Sequence, residues 1–219
     1  MRRPRFIAEQ ARDARGPLGR LVAWIMARET WRENVAAIDA LEIAPGDRVL
    51  DLGCGHGRSL AALAERATRG HVSGADPSEL MCEIAEARNR GLVRAGRVAV
   101  VRSSVDQLPY GDATFDAVLC VHVVYFWSDL DAALREVARV MRPGGRFAIV
   151  ARTAANPAVA SFPSEIYRFP ALAELLASAT RAGFAPELHG DRDETREPVL
   201  LLARKRGEGG RVRSAEGRS

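Results

Sequence analysis

The stretch Val49-Leu50-Asp51-Leu52-Gly53-Cys54-Gly55-His56-Gly57-Arg58 decides the fold. Four residues of apolar strand character run into three glycines at alternate positions, and an Ala- and Leu-rich helix pattern follows from Arg58 to Thr68. Glycines spaced this way let the chain turn tightly and approach a ligand closely. The helix that follows offers free N–H groups and a positive partial charge at its start. In an open α/β sheet such a turn lies at the carboxyl end of a strand, where ligands bind. The glycines exclude two familiar loops. A dinucleotide fingerprint needs GxGxxG, but here the third glycine comes one residue early and Arg58 takes the last position. A phosphate-binding P-loop needs GK[ST], which is absent from this stretch. Asp51, just before the glycines, suits a ligand with a cationic amino-acid portion better than a pyrophosphate.

Outward from this stretch, strand and helix patterns alternate. Strands are predicted at His71–Ala75, Arg97–Arg102, Phe115–Val121 and Arg146–Ala151, with helices at Pro77–Gly91 and Asp129–Met141. The Phe115–Val121 run is apolar on both faces, as in a buried parallel sheet. Further on, Pro163–Ala182 carries helical pattern interrupted at Pro170. Phe184–His189 and Pro198–Ala203 then pair antiparallel, since no helix separates them. The fold class is therefore α/β: a Rossmann-like, doubly wound, mostly parallel sheet of about seven strands, with an antiparallel C-terminal strand. Apolar residues at helical spacing from Pro17 to Leu41 predict an N-terminal helical cover, in one helix or two. The domain plan is a flexible basic arm at 1–16, a single domain at 17–206 with its cover at 17–41 and core at 46–151, and a disordered tail at 207–219. No separate substrate domain is expected.

Composition narrows the partners. The 219 residues are 47% hydrophobic and 27% charged, as in ordinary globular proteins, with a net charge of +4 and a pI of about 9.4. The excess sits at the ends. Six arginines face Glu9 and Asp13 in residues 1–20, and five arginines with Lys205 face Glu208 and Glu216 in residues 203–219. The residues between carry a net −4. A nucleic-acid partner is not expected. At most the ends add affinity for an acidic membrane surface, without a span. Lys205 is the only lysine, so no lysine chemistry is available inside the core. Cys54, Cys82 and Cys120 form no CxxC and no zinc spacing, so no metal is expected and a reducing cytoplasm is the simplest compartment.

Three more motifs follow in order. Gly74-Ala75-Asp76-Pro77 ends the second strand nineteen residues after Gly57. An acid there can receive both ribose hydroxyls, or simply cap the next helix. Ser103-Ser104-Val105-Asp106-Gln107-Leu108-Pro109-Tyr110 precedes Phe115-Asp116-Ala117-Val118. Cys120-Val121-His122-Val123-Val124-Tyr125-Phe126-Trp127 leaves the fourth strand with an imidazole, a phenol and two further aromatic rings. Together these stretches resemble motif I and the later motifs of the class I S-adenosylmethionine-dependent methyltransferases. The span 46–151 is similar to the ubiquinone and menaquinone biosynthesis branch.

The resemblance implies S-adenosyl-L-methionine as cofactor and methylation of a small, apolar or aromatic molecule by in-line displacement. It implies that Asp51, Gly53, Cys54 and Gly55 follow the methionine part, and that Asp76 and Pro77 meet the ribose. Ser104, Val105 and Asp106 would meet the adenine, although the family's usual Asp falls at Ser104. Val121 would lie beside the reactive methyl, with His122 and Tyr125 as candidate catalytic groups. The acceptor side is expected from Trp24, Met26, Trp31, Phe162, Tyr167 and Phe169. The Arg142-Pro143-Gly144-Gly145-Arg146 turn is expected to be structural, and Arg135, Glu136 and Arg139 to form a solvated face. A non-catalytic cofactor-binding or regulatory protein remains an alternative, and a nicotinamide-dependent oxidoreductase a weaker one.

Overall fold

The computed structural model describes residues 5–19, 21, 30–190 and 193–207. Seven strands form one sheet: β1 (Arg48–Leu52), β2 (His71–Asp76), β3 (Val98–Arg102), β4 (Phe115–Val121), β5 (Met141–Ala151), β6 (Phe184–Leu188) and β7 (Val199–Lys205). Their order is β3-β2-β1-β4-β5-β7-β6. The first five run parallel, and β7 pairs antiparallel with both β5 and β6. The Rossmann-like, mostly parallel sheet with an antiparallel C-terminal strand is thus the architecture of the chain. From β1 the chain builds outward to β2 and β3, then returns to β4 on the other side. The order therefore reverses between β1 and β4, which is where a doubly wound sheet opens a crevice at its carboxyl ends.

The strand pattern explains how β1 presents its carboxylate. Leu50 and Leu52 belong to one core, which includes Phe115, Val118 and Phe147. Val49 belongs to the other, with Ala37, Ile38 and Leu60. Alternation puts Asp51 on the Val49 side, facing helix α3 (Arg58–Arg66), whose Ser59 donates a hydrogen bond to it.

The other described helices are α1 (Arg5–Arg12), α2 (Trp31–Ala40), α4 (Glu79–Arg88), α5 (Arg90–Arg94), α6 (Leu130–Val140) and α7 (Leu172–Arg181). Helix α6 follows from sequence directly. Asp129 caps it by accepting from the Ala132 amide at 2.9 Å, and Leu130, Ala133, Leu134, Val137 and Ala138 line one buried stripe.

Several local expectations change. The helix predicted over Pro77–Gly91 divides at Asn89. The buried Asn89 side chain donates to the Ala85 carbonyl and across to the Gly57 carbonyl, both at 2.8 Å, and Ser78 caps the start by accepting the Met81 amide at 3.3 Å. Of Pro163–Ala182 only Leu172–Arg181 is helical. Strand β5 begins at Met141, five residues before the predicted start, with a register shift opposite Phe115 and Ala117 where Gly144 and Gly145 are inserted. Helix α1 lies within the basic stretch 1–16, where Ala8 and Ala14 are buried. Within the predicted cover, residues 30–41 form α2 and its end, while Trp24 and Met26 lie outside the described residues. The tail from 208 also lies outside them.

Candidate functional site

A cavity of about 460 Å³ opens at the carboxyl ends of β1 and β4. That is within the range of about 300–1,000 Å³ typical of small-molecule sites. Asp51, Gly53, Cys54, Gly55, Asp76, Pro77, Ser104, Val105, Asp106, Val121 and His122 all line it. Tyr125 does not.

The three glycines have left-handed φ values of 73°, 51° and 72° at Gly53, Gly55 and Gly57. Their surroundings differ. A Cβ on Gly53 would overlap Val123, and one on Gly57 would lie 2.6 Å from the Ala85 Cβ on α4. A Cβ on Gly55 would meet nothing within 4 Å. So Gly53 and Gly57 let the loop pack against protein, while Gly55 leaves open space.

Two carboxylates flank this loop from neighbouring strands. Asp76 ends β2 and accepts the Gly55 amide on Oδ2 and the Ser78 amide on Oδ1, each at 2.9 Å. It holds the glycine loop and still has lone pairs left for a ligand. Burial raises its pKa, and these two amides oppose the rise. Asp51 is pushed up to about 7, mainly by burial and further by the negative charge of Asp76, against the Ser59 hydroxyl. Burial also keeps the Cys54 thiol protonated. His56 is lowered to about 4, first by burial and then by the charge of Arg88, so it is a neutral side chain. Its Nδ1 accepts the Arg58 amide at 3.2 Å.

On the third-motif loop, the Ser104 hydroxyl donates to Asp106 Oδ2 at 2.8 Å, and the Asp106 amide donates back to Ser104 Oγ at 3.2 Å. Departure from an aspartate at position 104 therefore still leaves a carboxylate at the cavity wall, carried by Asp106. The loop is clamped from behind. Glu136 accepts the Leu108 amide at 2.8 Å, and Arg139 donates to the Leu108 and Tyr110 carbonyls and to Asp112. The arginine also holds the Glu136 carboxyl below its usual range. Glu136 and Arg139 thus fasten the cavity loop rather than forming the solvated face expected of them.

The β4 loop contains a chain of polar groups. His122 Nε2 lies 2.9 Å from Glu33 Oε2 on α2, and Nδ1 lies 2.9 Å from the Tyr125 hydroxyl, which accepts the Arg152 amide at 2.5 Å. Donor logic orders the protons. A carboxylate only accepts, so Nε2 carries a hydrogen; with one proton on the ring, Nδ1 accepts and the Tyr125 hydroxyl donates to it. His122 is held at φ 60°, a strained conformation for a residue with a side chain. In this arrangement both ring nitrogens are committed, and Tyr125, only 5% exposed, is walled off from the cavity. The arrangement ties the β4 loop to α2 and to the backbone at residue 152. Glu33 was not legible in sequence: it is 89 residues from His122 and looks like any favourable acid in a first helical turn. Replacing Glu33 with Leu strands a mostly buried N–H, so we expect a loss of about 1–3 kcal/mol in denaturant unfolding. Glu33→Gln keeps an acceptor and should lose less than half as much. Equal losses would contradict the bond.

The N-terminal segment completes the wall. Gln10 to Ala14, Trp31 and Asn34 line the cavity. The Ser78 hydroxyl donates to the Ala14 carbonyl at 2.9 Å, fastening residue 14 to the start of α4. The Arg58 guanidinium lies over the Trp31 ring, 3.8 Å from its centroid. Phe162, Tyr167 and Phe169 do not line the cavity; they stack with one another and with Tyr125 or Phe126 as an aromatic core.

Residues 50–149 match a family model described as a methyltransferase domain. The chain is 40% identical over 111 residues to methyltransferase GfsG of Streptomyces halstedii, covering 51% of this chain and 40% of that one. It is 30% identical over 189 residues to the O-methyltransferase resE of Aspergillus sclerotiorum, covering 82% of this chain and 70% of that one. The chain thus spans well under half of the first relative's length and more than two thirds of the second's. Among solved structures, a SAM dependent methyltransferase from Aquifex aeolicus superimposes with a TM-score of 0.67 at 20% identity, over 84% of this chain and 96% of that one.

Proposed function

Because the chain belongs to the class I S-adenosylmethionine-dependent methyltransferases, we propose that it transfers a methyl group from S-adenosyl-L-methionine to a small apolar or aromatic molecule. The observation that carries this reading is the pair of buried carboxylates, Asp51 and Asp76, at the ends of adjacent parallel strands and on either side of a glycine loop with open space at Gly55. The donor set fits the cofactor's chemistry. Asp51 would receive the ammonium group, Asp76 the ribose hydroxyls, and the Ser104–Asp106 loop with the Val105 amide the adenine. When bound, S-adenosylmethionine supplies a methyl group already activated by its sulfonium.

The chain's own residues would then orient the partners and exclude water. The Val121–Val123 corner and Phe126 lie on the wall beside the β4 end. The Glu33–His122–Tyr125 chain would hold that corner in place. His122 and Tyr125 are thus assigned positioning roles. An oxygen acceptor is favoured because resE is described as an O-methyltransferase. Trp31, Phe126 and Trp127 on the cavity wall favour an apolar or aromatic one.

The reading is tested by calorimetric titration of the purified protein with S-adenosylhomocysteine across pH 5.5–8. Below about 7 the free protein carries a proton on Asp51, and an incoming ammonium must displace it. We expect binding to strengthen by up to about tenfold per pH unit below 7 and to level off above it. Buffers of different ionisation enthalpy should report proton release at pH 6. Absence of binding at every pH would overturn the cofactor assignment, and flat affinity would overturn the role of Asp51. The same Asp51 shift lowers stability: its folded pKa is above the unfolded value, so the stability present below pH 3.8 is lost as pH rises toward 7.

A further inference from the structure

We infer that Asn34 on α2 holds the methyl acceptor by a hydroxyl group, which makes that acceptor an apolar alcohol or phenol; the inference rests on the methyl-transfer reading above. The sheet divides the cavity. Asp76 ends β2 and the Ser104–Asp106 loop follows β3, so the proposed adenosine end belongs to those two strands. Helix α2 packs instead against β4, β5 and α3. Strands β4 and β5 lie on the other side of β1 from β2 and β3. The helix therefore walls the cavity beside the corner where β4 ends. Its Glu33 reaches that corner, with Oε2 2.9 Å from His122 Nε2.

Asn34 follows Glu33 on this helix, is half-buried and lines the cavity with Thr30 and Trp31. Its amide is oriented by Nδ2, which donates to the Thr30 carbonyl at 2.9 Å. The opposite orientation would set two oxygens against each other. The other branch, Oδ1, accepts no hydrogen bond among the described residues, so its lone pairs are open to a ligand. The neighbouring polar groups are less suited. Both His122 ring nitrogens are bonded, Tyr125 does not line the cavity, and Ser128 lines it but is exposed. Around Asn34 the same side of the wall is ring surface from Trp31, Phe126 and Trp127. One oriented acceptor atom among rings suits a flat apolar molecule that donates a hydrogen bond. The oxygen acceptor favoured above is such a donor while it keeps its proton. A site of this kind rejects an analogue without the O–H, because its own polar atom is then left unpaired.

The test saturates the protein with S-adenosylhomocysteine and titrates it by calorimetry with naphthol or with the methyl ether of naphthol. The two probes share a ring system and differ in the O–H. Wild type should bind naphthol about 3- to 10-fold tighter, the range of one neutral hydrogen bond. Asn34→Ala should abolish that preference. It should leave S-adenosylhomocysteine within about twofold, since alanine suits a helix and the cofactor groups are untouched. A wild type without the preference, or an Asn34→Ala protein that keeps it, overturns the role of Asn34 while the cofactor reading stands. Weaker S-adenosylhomocysteine binding by Asn34→Ala also overturns it, because Asn34 would then serve the cofactor. If the saturated wild type binds neither probe, this inference fails together with the aromatic-acceptor part of the proposed function. If S-adenosylhomocysteine itself does not bind, the cofactor reading fails and this inference with it.

Discussion

Asp76→Ala is expected to weaken S-adenosylhomocysteine by about 30- to 1,000-fold in calorimetric titration, the largest binding effect of any single substitution in the cavity. Two losses coincide. The ribose loses its acceptor, and truncating one side of a buried hydrogen-bonded charge typically costs about 2–4 kcal/mol. The Gly55 and Ser78 amides lose theirs as well, each held at 2.9 Å by one carboxylate oxygen. The glycine loop is then no longer fixed to the end of β2. Asp76→Asn separates the two effects, since an amide oxygen can still take one of the backbone N–H groups. It should retain more folding stability than Asp76→Ala while recovering little binding. An Asp76→Ala protein that binds within threefold of wild type would sink the ribose assignment.

Gly57→Ala is expected to cost much more stability than Gly55→Ala in the same loop. The residue sits at φ 72°, and an added Cβ would lie 2.6 Å from the Ala85 Cβ and 2.9 Å from the Asn89 Nδ2. Left-handed strain costs about 1–2 kcal/mol and overpacking about 1–3 kcal/mol, giving roughly 2–5 kcal/mol together. For a domain of this size that is a fall in Tm of roughly 5–15 °C. Gly55→Ala is the control. It shares the left-handed φ but has open space around the new methyl. Its Tm should fall by only a few degrees, while its ligand affinity drops because the methyl takes room in the cavity. Thermal unfolding of both variants with and without S-adenosylhomocysteine checks this. Equal Tm values for the two would show that Gly57 does not pack as described.

The division between these glycines bears on what sequence can carry. Their spacing announced a tight strand-to-helix turn, and that turn lies beside the cavity. It did not say which glycine serves which end, since Ala85 and Asn89 come from a helix almost thirty residues on. Asp51 and Asp76 were legible for a related reason: each ends a strand whose apolar pattern is local. The parallel order and the antiparallel last strand followed from the presence or absence of helices between strands. Less was visible where the partner is distant. Glu33 acts on His122, Ser78 on Ala14, and Arg139 on the 108–112 loop, and none of these contacts leaves a periodicity or a motif. Helix breaks were misplaced where one side chain decides them. Asn89 ends α4 by bonding back to Ala85, a competition between side chain and backbone that apolar spacing does not report.

The bond from Ser78 to the Ala14 carbonyl has a kinetic meaning. Residues 10–14 form one wall of the cavity, and that wall is fastened to α4 at this point. None of the strand-end carboxylates belongs to it. A ligand leaving past this wall is expected to wait for the fastening to open, while Asp51 and Asp76 stay in place on the sheet. Ser78→Ala is therefore expected to change a ligand's release rate more than its affinity.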